Sequence, residues 1–192
     1  MPKMIEIRWH GRGGQGAKTA ALIFADSVLS NGKFAQAFPE YGPERMGAPV
    51  QAFNRISDEP ITLHCHVDSP QLVVVLDPTL IGKIDVTGGL SAEGIIIVNS
   101  SESATAVRAK LKLAGGKVYT VDASRIALET IGRPFPNTPM MGALVRITGM
   151  ISLENMLVDT RKKLEKRYRD RPEITEGNLK AIEHAFQEVK GE

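Results

Sequence analysis

Two uninterrupted apolar runs constrain the fold of this chain more than any other feature. Residues 72–76 have the sequence LVVVL, residues 94–98 have the sequence GIIIV, and a weaker run follows at 118–121. Continuous apolar runs of this length are typical of parallel strands, because helices cover both faces of a parallel sheet. Apolar residues at helical spacing lie between and after these runs, at 103–113, 123–131, 138–150, 152–168 and 175–189. The sequence therefore predicts an α/β fold.

The N-terminal part has the pattern of a strand, a glycine-rich turn, a helix and a second strand. Residues 5–10 alternate like a strand and lead directly into the glycines of residues 11–16, GRGGQG. Apolar residues at helical spacing predict a helix over 17–30, which Gly32 ends. Residues 34–38, FAQAF, predict the second strand.

A hairpin completes the predicted sheet. The strand-like runs 50–56 and 61–67 are separated by turn residues at 57–60, which favours an antiparallel pair. We therefore predict a three-layer α/β/α, Rossmann-like architecture with a mixed, mostly parallel sheet and a helical C-terminal tail. The chain is long enough to form its own core, so we predict one domain over residues 1–192.

The composition of the chain limits which partners it can bind and in which cellular environment it can work. The chain has 192 residues, a net charge of +2 and one cysteine, Cys65. A single cysteine excludes an internal disulfide framework and a self-contained cysteine-ligated cluster, and it suits a reducing cytoplasm. No apolar run approaches the roughly 20 residues of a membrane span. Acidic residues interrupt the basic segment 160–171, so we expect a solvated helix face and neither nucleic-acid nor membrane binding.

Three interpretations of the glycine-rich turn compete. Gly11, Gly13 and Gly16 satisfy the dinucleotide pattern G-x-G-x-x-G, but no carboxylate occurs before Glu40, in the loop beyond the second strand, to bind the ribose. The phosphate loop of ATPases needs a lysine directly after its last glycine. Here one residue intervenes, so Lys18 is turned by about 100° around the helix. The third interpretation is a tight strand-to-helix turn without a ligand.

A second loop follows the predicted strand 34–38. It covers residues 38–49 and has the sequence FPEYGPERMGAP. It is long, polar and stiffened by three prolines. Long structured loops often carry function. A surface loop packed by Phe38 and Tyr41 explains the same residues without a ligand.

These segments together resemble the gamma subunit of 2-oxoacid:ferredoxin oxidoreductases, and most closely the pyruvate-type members. The resemblance covers nearly the whole chain, and its last segment, around NTPMMGAL, is quite specific to the family. The segments that carry it are GRGGQG at 11–16, FPEYGPERMGAP at 38–49, QAFNRIS at 51–57, LVVVLDPTLI at 72–81, GGLSAEGIIIVNSS at 88–101 and VDASRIALETIGRPFPNTPMMGALVRITG at 121–149.

The resemblance implies one chain of a larger enzyme that converts pyruvate, coenzyme A and oxidised ferredoxin into acetyl-CoA, CO₂ and reduced ferredoxin. Thiamine diphosphate and Mg²⁺ would lie between alpha and beta subunits, and a delta subunit would carry two [4Fe–4S] clusters. The gamma subunit would scaffold the complex and help to bind coenzyme A. A branched-chain 2-oxoacid or 2-oxoglutarate remains an alternative substrate, and an autonomous nucleotide-binding domain or a pure interaction module remains an alternative function.

The residues agree with a helper role. The thiamine diphosphate signature of the family, GDG followed by an asparagine pair, is absent, and one cysteine cannot ligate two clusters. We predict no catalytic and no metal-binding residue in this chain. The hypothesis assigns the coenzyme A phosphates to the cations of Lys18 and Arg45 and to the backbone of Gly13, Gly14 and Gly16.

Two further groups are explained without a ligand. On a strand, His64 and His66 share one face while Cys65 points to the other, so these three side chains do not converge on a metal ion. We expect surface or interface histidines and a buried thiol. Asp77 follows a buried strand, where α/β sheets place ligands. Because Pro78 comes next, we favour an ordinary turn or helix start.

Overall fold

The computed structural model describes residues 4–40 and 46–192 of the chain. Its centre is one seven-stranded sheet with the strand order β2-β3-β1-β4-β5-β6-β7. The strands are β1 (Met4–Arg12), β2 (Phe34–Glu40), β3 (Pro49–Ser57), β4 (Leu72–Val75), β5 (Ile95–Asn99), β6 (Lys117–Val121) and β7 (Lys190–Gly191). Strands β1, β4, β5 and β6 are parallel, and the other pairings are antiparallel. The mixed, mostly parallel sheet is as predicted.

Six α-helices cover the sheet in the described part of the chain, together with a one-turn 3-10 helix, Pro78–Leu80. The α-helices are α1 (Ala17–Ser30), α2 (Ala104–Leu111), α3 (Ala123–Ile131), α4 (Asn137–Thr148), α5 (Leu153–Arg167) and α6 (Pro172–Glu188). Ser103, Asp122 and Ser152 each accept a hydrogen bond from the N–H three residues later, at 3.0–3.2 Å. These caps satisfy N–H groups that a helix start leaves unpaired, so α2, α3 and α5 begin where the sequence predicts.

The two faces of the sheet are covered unequally. Side chains of α1, α3, α4, α5 and α6 pack on one face, around Trp9 and Ile97. On the other face, α2 and the segment that follows β4 pack against Val73, Val75 and Ile96. Both faces of β4 and β5 are therefore buried, which is the arrangement that the two apolar runs predicted. None of the described helices is long and apolar enough to cross a membrane.

The predicted hairpin between residues 50–56 and 61–67 is wrong. Strand β3 pairs with β2 along one edge and with β1 along the other, so no edge of β3 is left for residues 61–67. Those residues form no strand. The buried guanidinium of Arg55 on β3 donates to the backbone oxygens of Cys65 at 2.7 Å and His66 at 2.9 Å, so a side chain and not a strand pairing holds the segment.

The correction changes the interpretation of the histidine–cysteine segment. His64, Cys65 and His66 lie in irregular backbone, so their side chains do not alternate between the two faces of a strand as predicted. Cys65 is exposed, so the expectation of a buried thiol is also wrong. Within residues 4–40 and 46–192, no group of three or more His, Cys, Asp or Glu side chains is placed to hold a metal ion.

Candidate functional site

The glycine turn joins the carboxyl end of β1 to the first turn of α1. Gly14 and Gly16 have φ angles of 97° and 82°, a backbone conformation that favours glycine. A Cβ atom at Gly16 would also lie 2.8 Å from the side-chain nitrogen of Asn137 at the start of α4. Glycine at position 16 is therefore required both for the backbone angle and for the close approach of α4.

A cavity of about 480 Å³ opens beside this turn. It is lined by the turn itself, by the first residues of α1 and by the ends of β2 and β3. Of the predicted site residues, the structure brings Gly13, Gly14, Gly16 and Lys18 together in this lining. Arg45 lies outside the described residues.

The cavity wall carries charges of both signs. Lys18 on α1 and Arg12 at the end of β1 contribute cations, and the N-terminus of α1 adds the positive end of its dipole. Glu40 contributes a carboxylate. It is the last residue of β2 and not, as predicted, a loop residue, because pairing with β3 extends β2 through Pro39 and Glu40.

Sequence reasoning missed a network that holds the turn in place. The Asp77 carboxylate follows β4 and accepts hydrogen bonds from Arg12 Nε at 3.0 Å and Gln15 Nε2 at 2.8 Å. Its second oxygen accepts from the Thr79 N–H at 2.9 Å and caps the one-turn helix Pro78–Leu80. The expected helix start is confirmed, but Asp77 does more than cap it. The signal was available, since the carboxyl ends of neighbouring parallel strands lie side by side.

The network keeps Asp77 ionised. Burial by itself would raise the pKa of this carboxyl, because it removes water from the charged form. Hydrogen bonds from Thr79 and Gln15, together with the charge of Arg12, outweigh burial and lower the pKa below its usual value. The carboxylate is therefore a permanent acceptor for the side chains of the turn at neutral pH.

A buried histidine lies immediately before the turn. His10 is fully buried on β1, and its Nε2 accepts a hydrogen bond from Arg8 Nε at 3.0 Å. Its Nδ1 has no partner among the described residues. Burial and the neighbouring Arg8 lower the pKa of His10 from 6.5 to about 4. The imidazole is therefore neutral in the folded protein at pH 7 and at pH 5.

This histidine should make the fold sensitive to acid. Between pH 6.5 and 4 the unfolded chain binds a proton at His10 that the folded chain does not, so stability falls as pH falls. We expect a loss of about 2 kcal/mol between pH 7 and pH 5 from this group. His10→Gln, measured by urea unfolding at both values, should remove that part of the difference. His64→Gln, at an exposed site, is the control. An equal pH difference in His10→Gln and the unmodified chain would refute the assignment.

Known proteins share both the sequence and the fold of this chain. Residues 6–188 match the pyruvate ferredoxin/flavodoxin oxidoreductase family. Pyruvate synthase subunit PorC of Thermotoga maritima is 47% identical over 190 residues, which cover 98% of this chain and 96% of that protein. The pyruvate/ketoisovalerate oxidoreductases common subunit gamma of Thermococcus kodakarensis is 47% identical over 186 residues, 97% of each chain. The crystal structure of pyruvate oxidoreductase subunit PORC from T. maritima gives a TM-score of 0.86 at 46% identity, covering 98% of both chains.

A mixed, mostly parallel sheet with helices on both faces and a glycine turn at the carboxyl end of its first strand defines an α/β protein. The chain belongs to the pyruvate ferredoxin/flavodoxin oxidoreductase family. Within that family it is a gamma-type chain, a non-autonomous subunit of an oxidoreductase, which confirms the resemblance drawn from its motifs.

Proposed function

We propose that this chain is the gamma subunit of a thiamine-diphosphate-dependent pyruvate:ferredoxin oxidoreductase and that its glycine turn binds phosphate groups of coenzyme A. In the complex, pyruvate, coenzyme A and oxidised ferredoxin become acetyl-CoA, CO₂ and reduced ferredoxin. The observation that carries the coenzyme A role is the cavity at the N-terminus of α1, where four of the five predicted residues converge.

The geometry of the turn suits an anionic group. Within residues 4–40 and 46–192, no acceptor is bonded to the N–H groups of Gly14 or Gly16, and both glycines line the cavity. Backbone N–H groups without a Cβ atom nearby allow a phosphate oxygen to approach closely, and the helix dipole favours its charge. Lys18 adds a full positive charge on the same wall. Coenzyme A, which carries a diphosphate and a 3′-phosphate, is a ligand of this chemistry.

The cofactors of the reaction do not fit this chain. A [4Fe–4S] cluster takes four cysteine thiolates, and the chain has one cysteine, Cys65. The described residues also lack a cluster of acidic or histidine ligands for Mg²⁺ beside a diphosphate. We therefore assign thiamine diphosphate, Mg²⁺ and the clusters to the alpha, beta and delta partners, with ferredoxin reached through the complex and the whole assembly in the cytoplasm. The role of this chain is to scaffold the complex and to contribute part of the coenzyme A site.

Selection of the 2-oxoacid is a task that we assign to the partner subunits. The chain is 47% identical both to a pyruvate synthase subunit and to a gamma subunit common to pyruvate and ketoisovalerate oxidoreductases. A subunit shared by two enzymes of different substrate cannot itself choose between their substrates. A branched-chain 2-oxoacid or 2-oxoglutarate therefore remains the alternative to pyruvate.

Dinucleotide binding is the second candidate for the glycine turn, and Glu40 favours it because this carboxylate ends β2 and lines the cavity. The topology speaks against it. In dinucleotide-binding folds the acidic residue ends a strand that is parallel to the first strand and adjacent to it. Here β2 runs parallel to β1, but β3 lies between the two strands and pairs with both, so β2 is not adjacent to the first strand. Coenzyme A remains the better-supported ligand.

Kinetics of the reconstituted complex test the coenzyme A site. Arg45→Ala and Lys18→Ala should each raise the KM for coenzyme A roughly 10- to 150-fold, because one charge-assisted contact contributes about 1.5–3 kcal/mol. The KM for pyruvate should stay unchanged, and so should the decarboxylation half-reaction, which needs no coenzyme A. The measurement is steady-state turnover with coenzyme A and pyruvate varied separately. Lys180→Ala, on the exposed side of α6, is the matched control for a lost lysine.

Two results would count against the site. An unchanged KM for coenzyme A in both variants would remove the glycine turn from the coenzyme A path. A rise in the KM for pyruvate alone would instead place this surface at the thiamine diphosphate site.

A further inference from the structure

We propose that Asp77 is a positioning residue for the coenzyme A site, acting through Arg12 and Gln15 to hold the glycine turn and the adjoining segment Met46–Ala48 in their binding geometry. The inference rests on the proposed function and deepens it. Asp77 does not line the cavity itself. It touches the side chains that fix the cavity wall.

The first arm of this device runs through Gln15. Its Nε2 donates to the Asp77 carboxylate at 2.8 Å, which orients the amide so that its oxygen faces the turn. That oxygen accepts a hydrogen bond from the Arg12 N–H at 2.8 Å. The Gln15 N–H in turn donates to the Arg12 backbone oxygen at 3.0 Å. The two ends of the Arg12–Gln15 turn are thus closed by one side chain whose orientation depends on Asp77.

The second arm runs through Arg12 to the neighbouring segment. Arg12 Nε donates to Asp77 at 3.0 Å, while Nη1 of the same guanidinium donates to the Gly47 backbone oxygen at 3.0 Å. The planar guanidinium therefore transmits the position of Asp77 to Gly47. Two backbone hydrogen bonds also join the glycine turn to the segment Met46–Ala48. The Gly13 N–H donates to the Ala48 oxygen at 2.9 Å, and the Gly47 N–H donates to the Gly13 oxygen at 3.2 Å.

Both arms depend on a buried charge. Asp77 is 7% exposed, and the Arg12 side chain is one-quarter exposed toward the cavity. Replacing the carboxylate by a methyl group would leave the Gln15 amide and the Arg12 Nε without this acceptor. Arg12 would keep its hydrogen bonds to Thr79 Oγ1 at 2.9 Å and to Gly47, and the Gln15 oxygen would keep the Arg12 N–H. Both side chains would still lose their charged acceptor, and a hydrogen bond to a charged group is worth more than one between neutral groups. The residues that line the cavity would remain, but fewer hydrogen bonds would hold them in place.

The test is kinetics and amide hydrogen exchange on the reconstituted complex. Asp77→Ala should raise the KM for coenzyme A about tenfold, with the KM for pyruvate and the turnover at saturating coenzyme A unchanged. Exchange in peptides covering 11–19 and 46–51 should be faster. Asp77→Asn keeps one acceptor oxygen, which can serve either Arg12 and Gln15 or the Thr79 N–H but not both sides, so it should raise the KM by about threefold, less than Asp77→Ala. Gln15→Ala removes only the first arm. If Asp77→Ala does not fold, Gln15→Ala takes its place in the test and should also raise the KM for coenzyme A.

Asp122→Ala is the matched control, because Asp122 also caps a helix at the carboxyl end of a strand but contacts no residue of the turn. It should lower stability without changing the KM for coenzyme A. Equal loss of turnover in the Asp77 and Asp122 variants, with no change of KM, would overturn the positioning role. If Lys18→Ala raises the KM for coenzyme A and Asp77→Ala does not, the inference alone fails. If neither raises it, the proposed coenzyme A site fails, and the positioning role fails with it.

Discussion

Purified alone, the chain should show no reduction of a viologen dye with pyruvate and coenzyme A. The reaction releases two electrons, and the chain has one cysteine where two [4Fe–4S] clusters would take eight. It also lacks the thiamine diphosphate signature. Dye reduction should appear when the alpha, beta and delta subunits are added, and it should be lost again when any one of them is left out. The measurement is anaerobic absorbance of the reduced dye, with the complete complex as the positive control.

The complex should also be stable enough to isolate. Permanent hetero-complexes bury roughly 2,000–5,000 Å² at their contacts, so the partners should remain bound to this chain through a native pull-down. Reduction of the dye by the lone chain, repeated with a preparation shown by mass spectrometry to be free of other subunits, would contradict the assignment as a non-autonomous subunit.

Gly142→Ala should destabilise the fold by about 2 kcal/mol. A Cβ atom at this position in α4 would lie 2.1 Å from the backbone oxygen of Ile182 in α6. Both atoms belong to helices packed in the core, so no flexible side chain can move aside, and the helices must separate. Overpacking of a core costs about 1–3 kcal/mol and occasionally more, against a gain of up to about 1 kcal/mol from the better helix propensity of alanine.

Thermal unfolding of the chain measures this loss. For a protein of this size, each kcal/mol shifts the midpoint by about 2–4 °C, so the midpoint should fall by roughly 4–8 °C. Gly149→Ala is the control, because Gly149 ends the same helix with a φ of 60° and has no atom within contact distance of an added Cβ. It should cost about 1 kcal/mol through backbone strain alone. An equal midpoint in Gly142→Ala and the unmodified chain would show that α4 and α6 are not in close contact.

The local signals in the sequence were sufficient for the helices and for the buried strands, but not for every strand. The runs at 72–76 and 94–98 became β4 and β5, buried on both faces, because an uninterrupted apolar run can be accommodated only between two covering layers. Helix starts at Ser103, Asp122 and Ser152 follow from side chains that bond an N–H three residues away, which is a contact within one turn. The glycine turn was likewise predicted between a strand and a helix, since glycine permits the positive φ angles found at Gly14 and Gly16.

The function of the glycine turn could not be predicted from its sequence pattern alone. From chemistry alone, the turn could have bound a dinucleotide, a nucleotide phosphate or nothing. The ordered motifs along the chain, and not GRGGQG by itself, indicated the family that the match over residues 6–188 confirms. The assignment of Gly13, Gly14, Gly16, Lys18 and Arg45 to coenzyme A remains a proposal for the kinetic test.

Only the tertiary structure decided which elements meet. Residues 61–67 have the alternation of a strand, but alternation cannot show that β1 and β2 already occupy both edges of β3. Asp77 has the local pattern of a helix start, and that pattern does not show Arg12 and Gln15, which come from more than 60 residues earlier in the chain. Short-range contacts were determined by the sequence itself, because the partners lie within one turn or one strand. Pairing of strand edges and buried ion pairs depends on the packing of the whole sheet, so these became visible only in the fold.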